Sequence, residues 1–234
     1  MVDQSLFNRT LAEFARTLVS GYDISEVLYD LSERVAGVLG VTGAGVTLSD
    51  DQDQLRFAAA SPGSIADLER VQERRQEGPC RDAYTLGHPV MVPDLRADGE
   101  RWGDFKREAA LHELRAAAGI PLHIEHERVG ALNLYNAEPR VWSEEELAAA
   151  GVLAAIATSY LLNASKLARA QRTAEQLQHA LDSRIVIEQA KGILANHHSI
   201  SLDQAFQRLR DHARSHQATV ASVADAVVKL GLRL

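Results

Sequence analysis

Arg184 and Lys191 stand seven residues apart in the string SRIVIEQAKGIL, a spacing that puts both cations on one face of a helix. Gln189 lies off that line and can donate to and accept from the edge of a base, and Gly192 directly follows Lys191. Glycine inside a helix costs roughly 0.5–1 kcal/mol against alanine. Gly192 is therefore expected to mark a spot where another helix or a ligand comes close to the backbone. Further cations follow at Arg208, Arg210 and Arg214, with Arg208 and Arg210 pointing in different directions around a helix. Such groups grip phosphates and base edges, which is binding and not reaction. Any one of them also fits a solvated surface or a pairing with Glu188 or Asp211, so the Arg184 and Lys191 pair beside Gly192 is the preferred candidate.

A second set lies upstream. Cys80, His88, Trp102 and Phe105 fall on the loop side of this part of the chain, and Asn133 and Tyr135 fall on a predicted strand. Together they are candidates to line a small-molecule pocket; singly, the aromatics fit core packing and the cysteine fits a small buried hydrophobe. No cysteine and histidine cluster has metal spacing, and His123 with His126 in one hairpin is a weak pair. There is no phosphate-binding loop, zinc motif or serine elbow, and Glu144, Glu145 and Glu146 are best used in capping a helix. No catalytic residue is expected, and the chain is read as a non-enzyme.

These candidates need elements to position them. At 234 residues and 25.6 kDa the chain can hold a domain of about 150 residues and a small one. No apolar run is expected to span a bilayer, and the start MVDQSLFNR lacks the features of a signal peptide. Cys80 is the single cysteine, so no internal disulfide can form, and a cytoplasmic location follows. The net charge of −7 is uneven: residues 161–234 carry ten Lys and Arg against six Asp and Glu, while residues 1–160 carry 15 against 26. The tail also holds His179, His197, His198, His212 and His216, which gain partial charge at about pH 6–7. A basic module on an acidic body suits a polyanion partner.

Apolar spacing of three and four predicts helices over residues 3–19 and 24–39, broken near Ser20-Gly21. GAGVTLSD and QLRFAAAS read as strands around a polar turn, followed by a short helix over 65–75. HPVMVPD holds a short strand, WGDFKREAAL a helix from about Gly103, and LRAAAGIPLHIE with RVGALNLYN a hairpin turning at EHE. Ser143 with Glu146 predicts a capping box at the start of a long helix. This is an α+β domain, with a mixed sheet expected to be covered on one face.

Here the chain resembles the GAF family of ligand-sensing domains. The phrase EGPCRDAYTLGHPVMVPDL, then Trp102 and Phe105, then IPLHIEHERVGALNLY carry the resemblance over almost all of residues 20–160. It implies a pocket between an antiparallel or mixed central sheet and the loops around residues 75–110, open to an unknown small molecule or a redox signal at Cys80. The cyclic-nucleotide signature of some GAF domains is absent, and the surroundings of Cys80 do not resemble those of bilin-binding members.

From Glu144 to about Asn196 there is no proline, which predicts one long helix or two in near register. Tyr160, Asn163, Leu167, Ala170, Ala174, Leu177 and Leu181 alternate in steps of three and four, a weak heptad seam. Up to Leu167 the seam fits packing within the chain as well as dimerisation; beyond it, a partner strand of coiled coil is the better reading. The tail then predicts three helices. The first buries Ile185, Ile187, Ala190, Ile193 and Leu194; the second is capped by Ser201 and Gln204 and buries Ala205, Phe206, Leu209 and Ala213; the third, after Thr219, buries Val220, Val223, Ala224, Val227 and Val228.

This tail resembles the ANTAR family, RNA-binding antitermination domains of bacterial regulators. Arg184, Ile187, Gln189, Ala190, Lys191, Gly192, Leu194, Ala205, Phe206, Leu209, Arg210, Ala213, Val223 and Ala224 carry the match over about residues 177–230. The resemblance implies a homodimer whose modules seize paired hairpin loops of a leader RNA and prevent a terminator from forming. The expected layout is a GAF domain over 1–160, a connecting helix over 161–180 and an ANTAR domain over 181–234. A DNA-binding regulator is the rival reading, weakened because VASVADAVVKL offers a duplex little beyond Lys229. A protein-interaction module is the other.

Overall fold

A computed structural model describes residues 2–18, 22–97, 99, 101–124 and 127–234. The predicted break at Ser20-Gly21, His126 and part of the EHE turn lie outside the described residues. The chain divides into two compact units, Met1–Ser165 and Lys166–Leu234.

The first unit is built on five strands, β1 (Gly43–Ser49), β2 (Leu55–Ser61), β3 (Val90–Val92), β4 (Ala116–Ile124) and β5 (Glu127–Asn136), in the order β2-β1-β5-β4-β3. Every pairing is antiparallel. Its helices are α1 (Gln4–Thr17), α2 (Ile24–Leu39), α3 (Ile65–Arg75), α4 (Pro79–Leu86), α5 (Gly103–Leu111) and the start of α6 (Glu144–His198). Alternation along β4 sends Ala116, Ala118, Ile120 and Leu122 into a core with Leu31 and Val35 of α2 and Leu153 and Ala157 of α6. On the opposite face Ala117 and Tyr135 pack with Leu68 of α3 and Phe105 of α5.

The sheet is thus antiparallel throughout, one of the two forms expected, and it is covered on both faces, where cover on one was expected. The second cover includes α4, in a stretch expected to be loop. Its signals are local: Pro79 begins it, and Gly87 ends it with φ of 74°. The predicted capping box at α6 forms, with the Glu146 N–H donating to Ser143 Oγ and the Ser143 N–H donating to Glu146.

The expectation that no stretch approaches membrane-spanning length is corrected by α6. It contains an 18-residue window of mean hydropathy 1.7, enough to cross a bilayer by length and composition. Ala150, Leu153, Ala154, Ala157 and Tyr160 at its start are spent in the first unit's core, which accounts for its apolar character.

In the second unit the end of α6 packs with α7 (Leu202–Ser215) and α8 (Val220–Leu230). Ala190, Leu194, Ala205, Leu209, Ala213, Val223, Ala224 and Val227 form its core. The capping box at Ser201 and Gln204 is present, and Thr219 caps α8. Three inward assignments are corrected. Ile185 and Ile193 are 50% and 45% exposed, and Phe206 is half-buried outside the core cluster. Val186 faces inward in place of Ile185, while Leu194 and Ala205, both expected inward, stand one step, 100° around the axis, from Ile193 and Phe206.

Candidate sensor core and nucleic-acid interface

In the first unit Asn133, near the middle of β5, is paired in register with Gly45 on β1 and Gly119 on β4. Two glycines flanking an amide make a trough in the sheet, and neighbouring segments fill it. A Cβ at Gly45 would lie 2.2 Å from Oε1 of Glu69, and one at Gly119 would lie 2.6 Å from the carbonyl oxygen of Pro79. Glu69 and Gln72, three apart on α3, share the face turned to this trough.

The polar groups converge. Asn133 Nδ2 donates to both oxygens of Glu69 at 2.9 Å, and the Tyr135 hydroxyl donates to Oε1 at 2.8 Å. Gln72 Nε2 donates to the Tyr135 oxygen at 2.7 Å, and its own Oε1 accepts from the Cys80 N–H at 3.3 Å. Gly78, with φ of 129°, leaves room for that amide. Glu69, Gln72, Asn133, Tyr135 and Cys80 are all at most 1% exposed. Asn133 Oδ1 is buried with no hydrogen-bond partner among the described residues.

No cation joins the cluster among the described residues, so burial dominates its electrostatics. Desolvation raises the Glu69 carboxyl to about 7 against the pull of its hydrogen-bond donors. Burial and the neighbouring Glu69 charge also hold the Cys80 thiol and the Tyr135 phenol well above their ordinary values. The arrangement can take up a proton, or exchange hydrogen bonds with a polar molecule that displaces part of it.

The structure brings Cys80, Asn133 and Tyr135 together. Phe105 stands 6.5 Å from Tyr135 and Trp102 stands 6.2 Å from Phe105, between ring centroids, as a wall beside them. His88 stands apart, exposed just beyond α4, with Nδ1 3.2 Å from the Pro89 oxygen. Glu69 fills the trough over Asn133, and Gln72 packs against Gly78 beside it. A groove of about 480 Å³ between α3 and α5, lined by Arg74, Arg75 and Arg107 among others, includes no member of the cluster. Sequence reasoning missed Glu69 and Gln72. The signal was two polar residues on the inward face of α3, beside Ile65 and Leu68, with glycines placed to receive them.

In the second unit Arg184 and Gln189 are exposed and their side chains make no hydrogen bond or ion pair among the described residues; the same holds for the side chains of Arg210 and Arg214 on α7. Lys191 is different. Its ammonium donates to both Glu188 oxygens, at 2.8 and 2.9 Å, and lies 5.8 Å over the centroid of the Phe206 ring. Arg208 donates to the Leu234 carbonyl at 2.9 Å. Gly192 is exposed, and a Cβ there would meet nothing within 4 Å, so the expected close neighbour helix is not there. Among the described residues no group of three or more His, Cys, Asp or Glu is placed to hold a metal ion.

A sheet roofed over a buried polar cluster, followed by a three-helix unit with free cations, places the protein among two-domain α+β and helical assemblies. Residues 22–161 match the GAF domain and residues 175–228 match the ANTAR domain, so the chain belongs to the GAF-domain family and carries an ANTAR domain behind it. Both are regulatory domains, and their pairing makes a signal-responsive regulator. Among solved structures, the GAF domain of a phosphoenolpyruvate-protein phosphotransferase from Coxiella burnetii aligns with a TM-score of 0.57 at 17% identity, covering 71% of this chain and 99% of that one. The corresponding Acinetobacter domain gives 0.54 at 17%, covering 70% and 98%. Free methionine-R-sulfoxide reductase from Neisseria meningitidis gives 0.54 at 18%, covering 70% and 92%. These likenesses show the fold alone. No curated protein matches the chain.

Proposed function

We propose that this protein is a cytoplasmic, signal-responsive transcription antiterminator whose ANTAR unit binds paired hairpin loops in a leader RNA. The observation that carries the reading is that the side chains of Arg184, Gln189 and Arg210 in the ANTAR unit are free and that Lys191 borders open space at Gly192. Such groups suit the phosphates and unstacked bases of a loop. The competing DNA reading loses support from α8, whose Lys229 is paired with Asp225 at 2.8 Å.

Dimerisation belongs to the same reading. The upper seam is used within the first unit, where the Tyr160 hydroxyl donates to the Phe14 carbonyl and Asn163 donates to the Tyr22 hydroxyl. Leu167, Leu177 and Leu181 are 67%, 64% and 59% exposed and are left for a second copy of the chain. A small molecule read by Glu69, Asn133 and Tyr135 would bias the state of α6. A redox signal at Cys80 is disfavoured, because its thiol is buried and held protonated.

The test is retention of labelled RNA carrying two short hairpins, against the same RNA with scrambled loops and duplex DNA of equal length. Selective retention, weakened at least tenfold in an R184A/R210A double variant, is the expected result. Equal retention of scrambled loops or of the duplex sinks the reading.

A further inference from the structure

Phe206 is the one phenylalanine of the second unit, and the core does not absorb it. α7 turns Ala205, Leu209 and Ala213 inward at steps of four, and Phe206 sits 100° around from Ala205, half-buried. The Lys191 ammonium lies 5.8 Å from its ring centroid, steadied by Glu188. One turn further along α7, Arg210 is exposed and makes no ion pair among the described residues. Beside Lys191 the helix surface is open at Gly192. An aromatic ring, a cation over it and a free guanidinium one turn along α7 are thus brought together, with open space at Gly192 next to the cation in sequence.

We propose that Phe206 is a stacking platform for one splayed base of the bound RNA, with Lys191 leaving the ring for a phosphate as the base arrives. The proposal rests on the RNA-binding reading and adds to it a residue and a contact type. In the free protein the ammonium satisfies the ring face. In the complex a planar base takes that place, and the lysine and Arg210 are left at backbone height on either side of it. A stacked base contributes affinity with little preference among bases. Sequence choice is then left to other side chains of the unit.

The experiment uses the full-length chain and the two-hairpin RNA with 2-aminopurine placed at each loop position in turn, together with F206L, F206Y and R184A variants. At one loop position the wild type should quench the fluorophore. F206L should abolish that quench and weaken binding about tenfold or more, while F206Y keeps both within about threefold. Stacking releases no counterions, so F206L should leave the dependence of log K on log salt unchanged, whereas R184A should reduce its slope by about one. Unchanged affinity and quench in F206L overturn the stack. Should F206L lower the helical melt, the wild type decides alone: no quench at any loop position overturns the proposal. Failure of the wild type to bind RNA overturns the RNA reading itself, while tight wild-type binding without a quench removes only Phe206.

Discussion

A carboxyl held by Asn133, Tyr135 and Gln72, with no cation beside it among the described residues, titrates far above a surface glutamate. Glu69 stands at about 7 in the fold against 4.5 for the free side chain. The folded value is the raised one, so the stability that Glu69 contributes is complete below about pH 4.5 and is lost as pH rises through about 7. At 1.36 kcal/mol per unit this amounts to about 3 kcal/mol for a fully buried group. E69Q keeps the shape and abolishes the ionisation. Urea unfolding of the first unit should therefore show wild type losing stability relative to E69Q between pH 5 and pH 8, by about 2–3 kcal/mol; parallel pH profiles would mean that the carboxyl reaches water. Asn133, Tyr135 and Cys80 are recognisable in the sequence as candidates because their types stand out on strand and loop. Glu69 is not, because an acid in the polar run LERVQERR reads as solvent-facing until the glycines of β1 and β4 are known to lie beneath it.

Among the elements, α6 shows how far local rules reach. Its capped start and proline-free length make it legible, and it is one helix of 55 residues. Which of its faces is covered is not legible, since Ile185 and Ile193 have the chemistry of core residues and yet are about half exposed. Gly192 is a sharper case: the backbone there is open, so the cost of glycine is not recovered by packing within the chain. G192A should raise the melting stability of the second unit by roughly 0.5–1 kcal/mol. If RNA lies against this turn, the same variant should weaken retention of the two-hairpin RNA several-fold, a trade of stability against binding. A variant both more stable and equally retentive would place the RNA elsewhere.

For the whole molecule the prediction concerns assembly. Leu177 and Leu181 are exposed and lie in α6 beyond the first unit's core. An L177R/L181R variant removes two large apolar side chains from any seam with a second copy, at about 1.5–3 kcal/mol for each one buried there. Sedimentation equilibrium should show a dimeric wild type, with dissociation strengthened by at least two orders of magnitude in the variant. The melts of the separate units should be unchanged, since neither core includes these leucines. A wild type monomeric at micromolar concentration, or an unaltered dimer in the variant, sinks the seam.

Taken by itself, the sequence determined where helices and strands begin and end across most of the chain, the α+β and three-helix division of labour, and the two families it resembles. Those features are written in periodicity, caps and turn residues, each settled within a few positions of chain. Only the tertiary structure decided that the sheet is covered on both faces, that Glu69 reaches from α3 into a trough of glycines, and that Phe206 is left outside its core. The reason is physical: neighbouring residues on a helix differ by 100° of direction, and what lies in that direction is supplied by segments distant in sequence. Local propensity fixes an element, but burial is a property of the pair of elements that meet.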